Sequence, residues 1–259
     1  MELATLLGLI LGWGAMLAAN VLEGGHLSAL WQYTAFLIVF GGTIGATLIA
    51  FPLKDVLGLP KLIGMTFQSN PYDAGALIPQ LVGYAEKARR EGLLALEADL
   101  AEAGDEFLQK GMQMVADGID QHTVRDMLET ELSFIASRHA AAFGILEAMG
   151  GFAPTMGIIG TVMGLIHVLG NLSEPSKLGG AIAVAFVATL YGVWTANLLW
   201  LPLGTKLKRR SEQEILVREM MLAGILAIQA GDNPQIVEEK LKSYLSPAMR
   251  RALKPAEEA

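Results

Sequence analysis

The amino-acid sequence predicts an all-α fold: a polytopic membrane protein with four transmembrane helices and a helical cytoplasmic domain. Three observations carry this. Of the 259 residues, 53% are hydrophobic and only 17% charged, where soluble domains carry about 25% charge. The apolar residues gather into four runs, 3–22, 29–51, 150–169 and 179–203, each near the ~20 residues a spanning helix needs. Outside these runs apolar residues recur at helical spacing, and no strand pattern stands out. The chain therefore divides into 1–51 (spans one and two), 52–147 (a cytoplasmic helical insert), 148–203 (spans three and four) and 204–259 (a cytoplasmic helical tail).

Charge sets the orientation. Eight of the 19 Lys and Arg lie between Pro52 and Glu147 and ten lie after Leu203. Only Lys177 falls elsewhere, and 21–28 has none. Basic residues mark the cytoplasmic side. The insert, the tail and, through the even number of spans, the N-terminus are thus expected in the cytoplasm. A net charge of −7 argues against a nucleic-acid surface, which needs clustered Lys and Arg. With no cysteine there is no disulfide framework and no thiolate metal site. Met1-Glu2 lacks a basic leader and the run after it is long, so 3–22 reads as an uncleaved span.

Span one carries Gly8 and Gly12, and span two Gly41 and Gly45, spacings that allow close helix contact. Trp31 and Tyr33 stand at the outer start of span two as interfacial anchors. Pro52 ends that span, and 53–66 mixes apolar and basic residues as a short interfacial helix does. Asn70-Pro71-Tyr72-Asp73 reads as a turn with Asp73 as N-cap. Leu77, Leu81, Tyr84 and Ala88 then share a helix face. Gly92 breaks this helix, and 93–103 starts another. Further helices are expected over 109–117 and 122–138, the second opened by a Thr123/Asp126 capping box and, from Leu128, Leu132 and Ile135, running on toward the third span. His122 and His139 are placed on the surface. In the tail, Lys206, Lys208, Arg209 and Arg210 form a basic stop. An amphipathic helix follows over 211–230, closed by Gly231, and Pro234 restarts another at its first position. The end, 254–259, is expected to fray.

No serine and no aspartate lies inside a span, which removes intramembrane serine and aspartyl proteases. Metalloprotease and phosphate-loop motifs are absent too. The chain is therefore not expected to be an enzyme, and no cofactor is expected. The only ionisable groups near membrane depth are Glu147 and His167, at the two ends of span three. Ion-driven machines carry a buried carboxylate at mid-membrane. Either this chain moves no ion, or a partner supplies that carboxylate.

The third and fourth spans nonetheless look like a path. Pro154 cannot donate to the Gly150 carbonyl, and a bare carbonyl in lipid is costly, so a kink is expected there. Gly157, Gly160, Thr161 and Gly164 fall on one face. Ala181, Ala185, Ala188, Thr189, Gly192 and Ala196 make a small-residue stripe on span four. Thr155 and Thr189 offer hydroxyls to water or an ion, or to their own helix. Thr155 and Thr161 are about 120° apart at 3.6 residues per turn, so they do not share a point.

PTMGIIGTVMGLIHVLGNL at 154–172, LGGAIAVAFVATLYGVWTANLLWLPLGTKL at 178–207 and ARREGLLALE at 88–97 resemble the MotA/TolQ/ExbB family of ion-driven force generators. The four-span plan with its large insert resembles the flagellar-stator branch over the whole chain. That resemblance implies a pentameric ring around the helices of a pair of MotB chains, each carrying the Asp that binds the ion. It implies an inner-membrane location and torque on a rotor. Pro154 matches the family's essential proline beside that Asp, and Thr155 and Thr189 match positions along the ion path. Thr161 is a residue also found in sodium-type chains. Arg89 and Glu97 match the charged pair that engages the rotor protein FliG, and Pro202 matches a second family proline. Sodium-type chains tend to have adjacent threonines where this chain has Ala188-Thr189. The transported ion is therefore expected to be the proton, with sodium as the alternative. An ExbB/TolQ-like energiser of an envelope process is the competing function; four spans and the 88–97 motif argue against it.

Overall fold

The computed structural model describes residues 2–68, 72, 74–100, 104–171 and 175–252. The turn expected at Asn70, Pro71 and Asp73, the end of the helix expected over 93–103, and the tail at 254–259 lie outside them. Among the described residues all regular structure is helical. The chain forms two compact units: Met1–Ser69 with His139–Arg209, and Asn70–Arg138 with Arg210–Ala259.

The first unit holds the four apolar helices, each long enough to cross a bilayer. Helix α1 is Leu3–Leu22. The second span, Leu27–Ala50, is assembled from a 3-10 turn Leu27–Leu30, α2 (Tyr33–Phe36), a π turn Leu37–Gly41 and α3 (Gly42–Ala50). Phe51 is extended before Pro52, because proline disfavours helical geometry in the residue ahead of it. The interfacial stretch forms two short helices, α4 (Leu53–Leu57) and α5 (Leu59–Met65), jointed at Gly58. Leu53 and Leu57 are exposed, while Leu59 packs against Ile145, Leu146, Met149, Leu203 and Leu207.

Of the glycines expected to bring helices together, Gly12 meets the Leu198 side chain, whereas Gly8, Gly41 and Gly45 meet nothing within 4 Å. Gly42 takes that role on span two: a Cβ there would fall 2.6 Å from Met156 Sδ. A polar collar ties the chain start. Lys206 Nζ pairs with the Glu2 carboxylate and donates to the Thr5 hydroxyl. Thr5 Oγ1 donates to the Thr66 carbonyl at 3.3 Å, and Glu2 N–H to the Phe67 carbonyl at 3.0 Å.

The last two spans belong to longer helices than their apolar runs suggest. Helix α9 runs Gln121–Gly170, 50 residues, and passes through Pro154 without a break. Span four comprises α10 (Pro175–Thr195), a π turn Ala196–Trp200 and α11 (Leu201–Gln229). The helix therefore does not stop at Leu203 and restart at Ser211. The segment between them contains no breaker except Gly204, which packs against Leu146 and Glu147. Lys and Arg are good helix formers, so the basic run continues the helix.

In the second unit, α6 (Ala74–Glu91) buries Leu77, Leu81 and Tyr84, as their spacing predicts. Gly92 turns the chain at φ 88°, a region a side chain disfavours. A 3-10 turn Leu93–Leu96 and the short α7 (Glu97–Leu100) follow. Helix α8 (Glu106–Ala116) starts earlier than its apolar pattern suggests. Asp105 caps it, accepting from the amides of Phe107 at 2.9 Å and Leu108 at 3.2 Å.

The start of α9 is also capped differently from expectation. Asp120, not Thr123, is the capping acceptor: it takes the Thr123 amide at 3.0 Å and the Thr123 hydroxyl at 2.5 Å. These bonds hold its carboxyl below the usual range. Asp126 instead faces His122 Nδ1 at 3.0 Å, one turn away on the surface. At the far end Gly231 closes α11 with φ 72°. Asn233 caps α12 (Pro234–Lys242), accepting from the Gln235 amide at 3.1 Å, and α13 spans Pro247–Ala252.

Leu81, Leu108, Met112, Leu128, Ile225 and Leu241 are fully enclosed in the core of this unit. A charged pair borders it. Arg218 pairs with Glu214 at 2.8 Å and lies 5.8 Å from the Tyr72 ring centre and 6.0 Å from that of Phe107. Burial, and then Glu214, push the Tyr72 phenol up to about 12, so it stays neutral at physiological pH.

Candidate functional site: a helix contact and an exposed tip

The two features that the sequence singled out lie in different units, and each is built by its own local geometry. In the first unit, α9 and α10 approach until their backbones touch. A Cβ at Gly157 would fall 2.9 Å from the Ala188 carbonyl and 3.2 Å from Thr189 Cα. At Gly192 it would fall 2.5 Å from the Ala153 carbonyl and 3.0 Å from Gly157 Cα. Gly164 faces Ala185, and Gly160 faces Ala188. In lipid no hydrophobic force drives helices together, so small residues that allow backbone packing make the contact.

Inside that contact sits a cluster of four oxygens. The Thr161 and Thr189 hydroxyls hydrogen-bond to each other across the helices. Thr161 Oγ1 also lies 3.1 Å from the carbonyls of Gly157 and Ala185. Thr189 Oγ1 lies 3.5 Å from the Gly157 carbonyl. Thr189 is thus not an isolated hydroxyl on its stripe. Both threonines are half-buried, with no charged side chain among their hydrogen-bond partners.

Thr155 stands apart from this pair, as its angular offset predicts. It is exposed, and its hydroxyl donates to the Phe152 carbonyl at 2.7 Å. With Ile159, Val162 and Ile166, also exposed, it follows the i+4, i+7, i+11 spacing of one helix face. Pro154 precedes it, half-buried, and Ala153 on the other side is fully buried against Gly192. Pro202 is exposed at the start of α11. The π turn just before it is closed by the Leu201 amide bonding the Ala196 carbonyl five residues back. That widened turn is where the helix absorbs a residue with no N–H to give.

Sequence reasoning missed Tyr191. Its hydroxyl donates to the Leu30 carbonyl at 2.5 Å and accepts from the Gln32 amide at 3.2 Å, which pins the start of span two to span four. The signal was there: a phenol inside an apolar span needs a polar partner. Nearby, Trp194 stacks on Trp13 with ring centres 4.7 Å apart.

In the second unit, Arg89 and Arg90 end α6 exposed, the chain turns at Gly92, and Glu97 stands exposed beyond the turn. Lys87 and Asp99 close the turn with an ion pair at 2.7 Å. Arg90 lies 3.4 Å from Glu91, whereas Arg89 and Glu97 have no ion pair among the described residues.

The backbone contact yields a direct test. Gly192→Ala forces the Ala153 carbonyl away, and overpacking of this kind costs about 1–3 kcal/mol. The purified variant is expected to melt at lower temperature and to lose motility. Gly144→Ala, where a Cβ meets nothing within 4 Å, is expected to do neither. Equal melting of the two variants would show that the helices are not in backbone contact.

Among the described residues, four helices are long and apolar enough to cross a membrane, and the last two meet in a hydroxyl-lined contact. Comparison with known proteins gives the class its name. The chain belongs to the MotA/TolQ/ExbB proton channel family, which it matches over residues 100–220, and it carries the motility protein A N-terminal domain over residues 6–92. It is 42% identical to motility protein A of Bacillus subtilis, over 100% of this chain and 95% of that protein. It is 39% identical to the chemotaxis protein PomA of Vibrio alginolyticus, over 96% of this chain and 98% of the relative. The fold superposes on the flagellar MotAB stator complex from Bacillus subtilis with a TM-score of 0.91 and 40% identity, covering 97% of this chain and 100% of that one.

Proposed function

We propose that this chain is the channel-forming subunit of a flagellar stator, in which ion flow drives torque on the rotor. The observation that carries this is the polar contact of spans three and four without any carboxylate of its own. A partner must supply the titrating group, and the MotAB title of the matching structure names such a pairing for its own protein. In this reading a MotB-type partner helix carrying an Asp lies along the exposed α9 face that begins at Thr155. Pro154 orients that face, and Pro202 shapes the other end of span four. Several copies, in a pentameric ring, surround the partner helices. The membrane is the bacterial inner membrane, with both termini in the cytoplasm. The collar supports this orientation, because Glu2 pairs with Lys206, which belongs to the basic cluster expected inside. Arg89 and Glu97 engage the rotor protein FliG.

The ion is proposed to be the proton. Each threonine hydroxyl of the Thr161/Thr189 pair is already engaged by an internal hydrogen bond, and a proton path requires only the partner carboxylate and water. Swimming speed measured against external sodium at fixed pH should then stay flat. One observation favours sodium as the second reading: four oxygens converge at Thr161, Thr189, Gly157 and Ala185, and hard cations take several oxygen ligands. A speed that rises with sodium and saturates, and that Thr161→Ala removes, decides for sodium.

A further inference from the structure

The 88–97 segment presents one side chain that its charges do not explain. In a 3-10 turn, residues three apart eclipse one another. Leu93 and Leu96 therefore stack on one side of the turn Leu93–Leu96, and both pack into the core of the second unit, Leu96 completely. Leu94 and Glu97 are three apart as well, and they fall on a second side of the turn, about 120° round from Leu93 and Leu96. Leu94 is 70% exposed, with Arg89, Arg90, Glu91 and Glu97 exposed around it in the chain. Leu94 is in no core cluster of the described residues, whereas Leu93 and Leu96 supply the contact with the core.

The turn that carries Leu94 is also held in place. Gly92 sets its entry at φ 88°. The Gly92 amide donates to the Ala88 carbonyl at 2.9 Å, and Lys87 and Asp99 bridge the two sides of the turn. An apolar side chain on a fixed turn, bordered by charges of both signs, has the anatomy of an interface anchor. Such interfaces have a small apolar centre that excludes water and a charged rim that steers and orients. Pre-ordering the turn lowers the entropy lost on docking.

We propose that Leu94 is the apolar anchor of the rotor contact. It would insert into an apolar socket on the rotor surface while Arg89 and Glu97 pair with charges at the socket's edge. This rests on the reading of Arg89 and Glu97 as rotor-facing, and it adds the residue that sets how long the contact lasts. Rim charges act mainly on the rate of encounter, whereas a buried anchor acts on the rate of departure.

The test is the dwell time of fluorescently tagged stator complexes at rotating motors in live cells, with the membrane level of the protein measured in parallel. Leu94→Ala is expected to shorten the dwell about tenfold, the loss that truncating a buried anchor brings, at unchanged protein level. Leu94→Met, which keeps volume and apolarity, should restore it. A double variant Arg89→Glu/Glu97→Lys runs beside them. If it loses engagement while Leu94→Ala dwells as wild type, the anchor is overturned and the rotor reading stands. If neither variant changes dwell or torque, the rotor reading itself falls. A Leu94→Ala chain that is depleted from the membrane as strongly as its dwell is shortened would also overturn the proposal, because the residue would then serve folding.

Discussion

Pro154→Ala is expected to abolish swimming while leaving the amount of assembled protein unchanged. Proline at 154 has no N–H for the Gly150 carbonyl. Alanine restores that bond, a gain of about 0.5–1.5 kcal/mol, so the helix should become more regular and no less stable. What changes is the wall: the exposed face of α9 begins at Thr155, and the backbone just before Pro154 packs on Gly192 through the Ala153 carbonyl. A change of backbone geometry at Pro154 moves Thr155 and Ile159 relative to that fixed contact. It thereby displaces the surface offered to a partner's carboxylate. Soft-agar spreading, with immunodetection in membranes, measures both halves of this expectation. Ordinary spreading by the variant removes the role assigned to Pro154. Loss of the protein from the membrane assigns Pro154 to folding instead.

Reversing Arg89 and Glu97 together should cost motility far more than it costs protein. Both side chains are exposed, and neither has an ion partner among the described residues. Even a formed surface pair contributes only about 0–1 kcal/mol. The double reversal therefore has almost nothing to destabilise within the chain. Across an interface the same change sets like charges against each other, at a cost of several kcal/mol. The expected result is normal membrane level, near-complete loss of torque, and partial recovery when the facing rotor charges are reversed too. A fall in membrane level that matches the fall in swimming would make the pair structural.

Much of this molecule was legible before any coordinates. The four spans follow from apolar run length, because lipid admits only segments that satisfy their own backbone. The inward face of α6 follows from spacing, with Leu77, Leu81 and Tyr84 buried; on α11 Met220, Leu222 and Ile225 are buried and Ile215 is half-buried, but positions 220 and 222 lie on opposite sides of a helix, so packing and not spacing decides their burial. The lack of a carboxylate inside the spans was legible in the sequence, and it left two alternatives: a chain that moves no ion, or a carboxylate from a partner. The glycine and alanine stripes of spans three and four were legible as faces.

Helix ends and partnerships were decided by the fold. Apolar content marks where a helix sits in the membrane, not where it stops, so α9 and α11 extend well past their apolar runs. The cap of α9 fell to Asp120 because a carboxylate three residues ahead reached both the amide and the hydroxyl of Thr123, while Asp126 was drawn to His122. Periodicity put Thr161 and Thr189 on small-residue faces, yet only the close approach of two backbones could join their hydroxyls. Residues 28 apart in the chain have no local signal of that pairing. Leu94 shows the same division: Leu93, Leu94 and Leu96 have identical chemistry, and only the sense of the turn after Gly92 sends Leu93 and Leu96 inward and leaves Leu94 in solvent. Composition and period determine which surfaces are apolar or small, because those are properties of single residues and their spacing. Which surfaces meet is determined by packing, because a contact belongs to two segments and is strong only where both backbones can reach it.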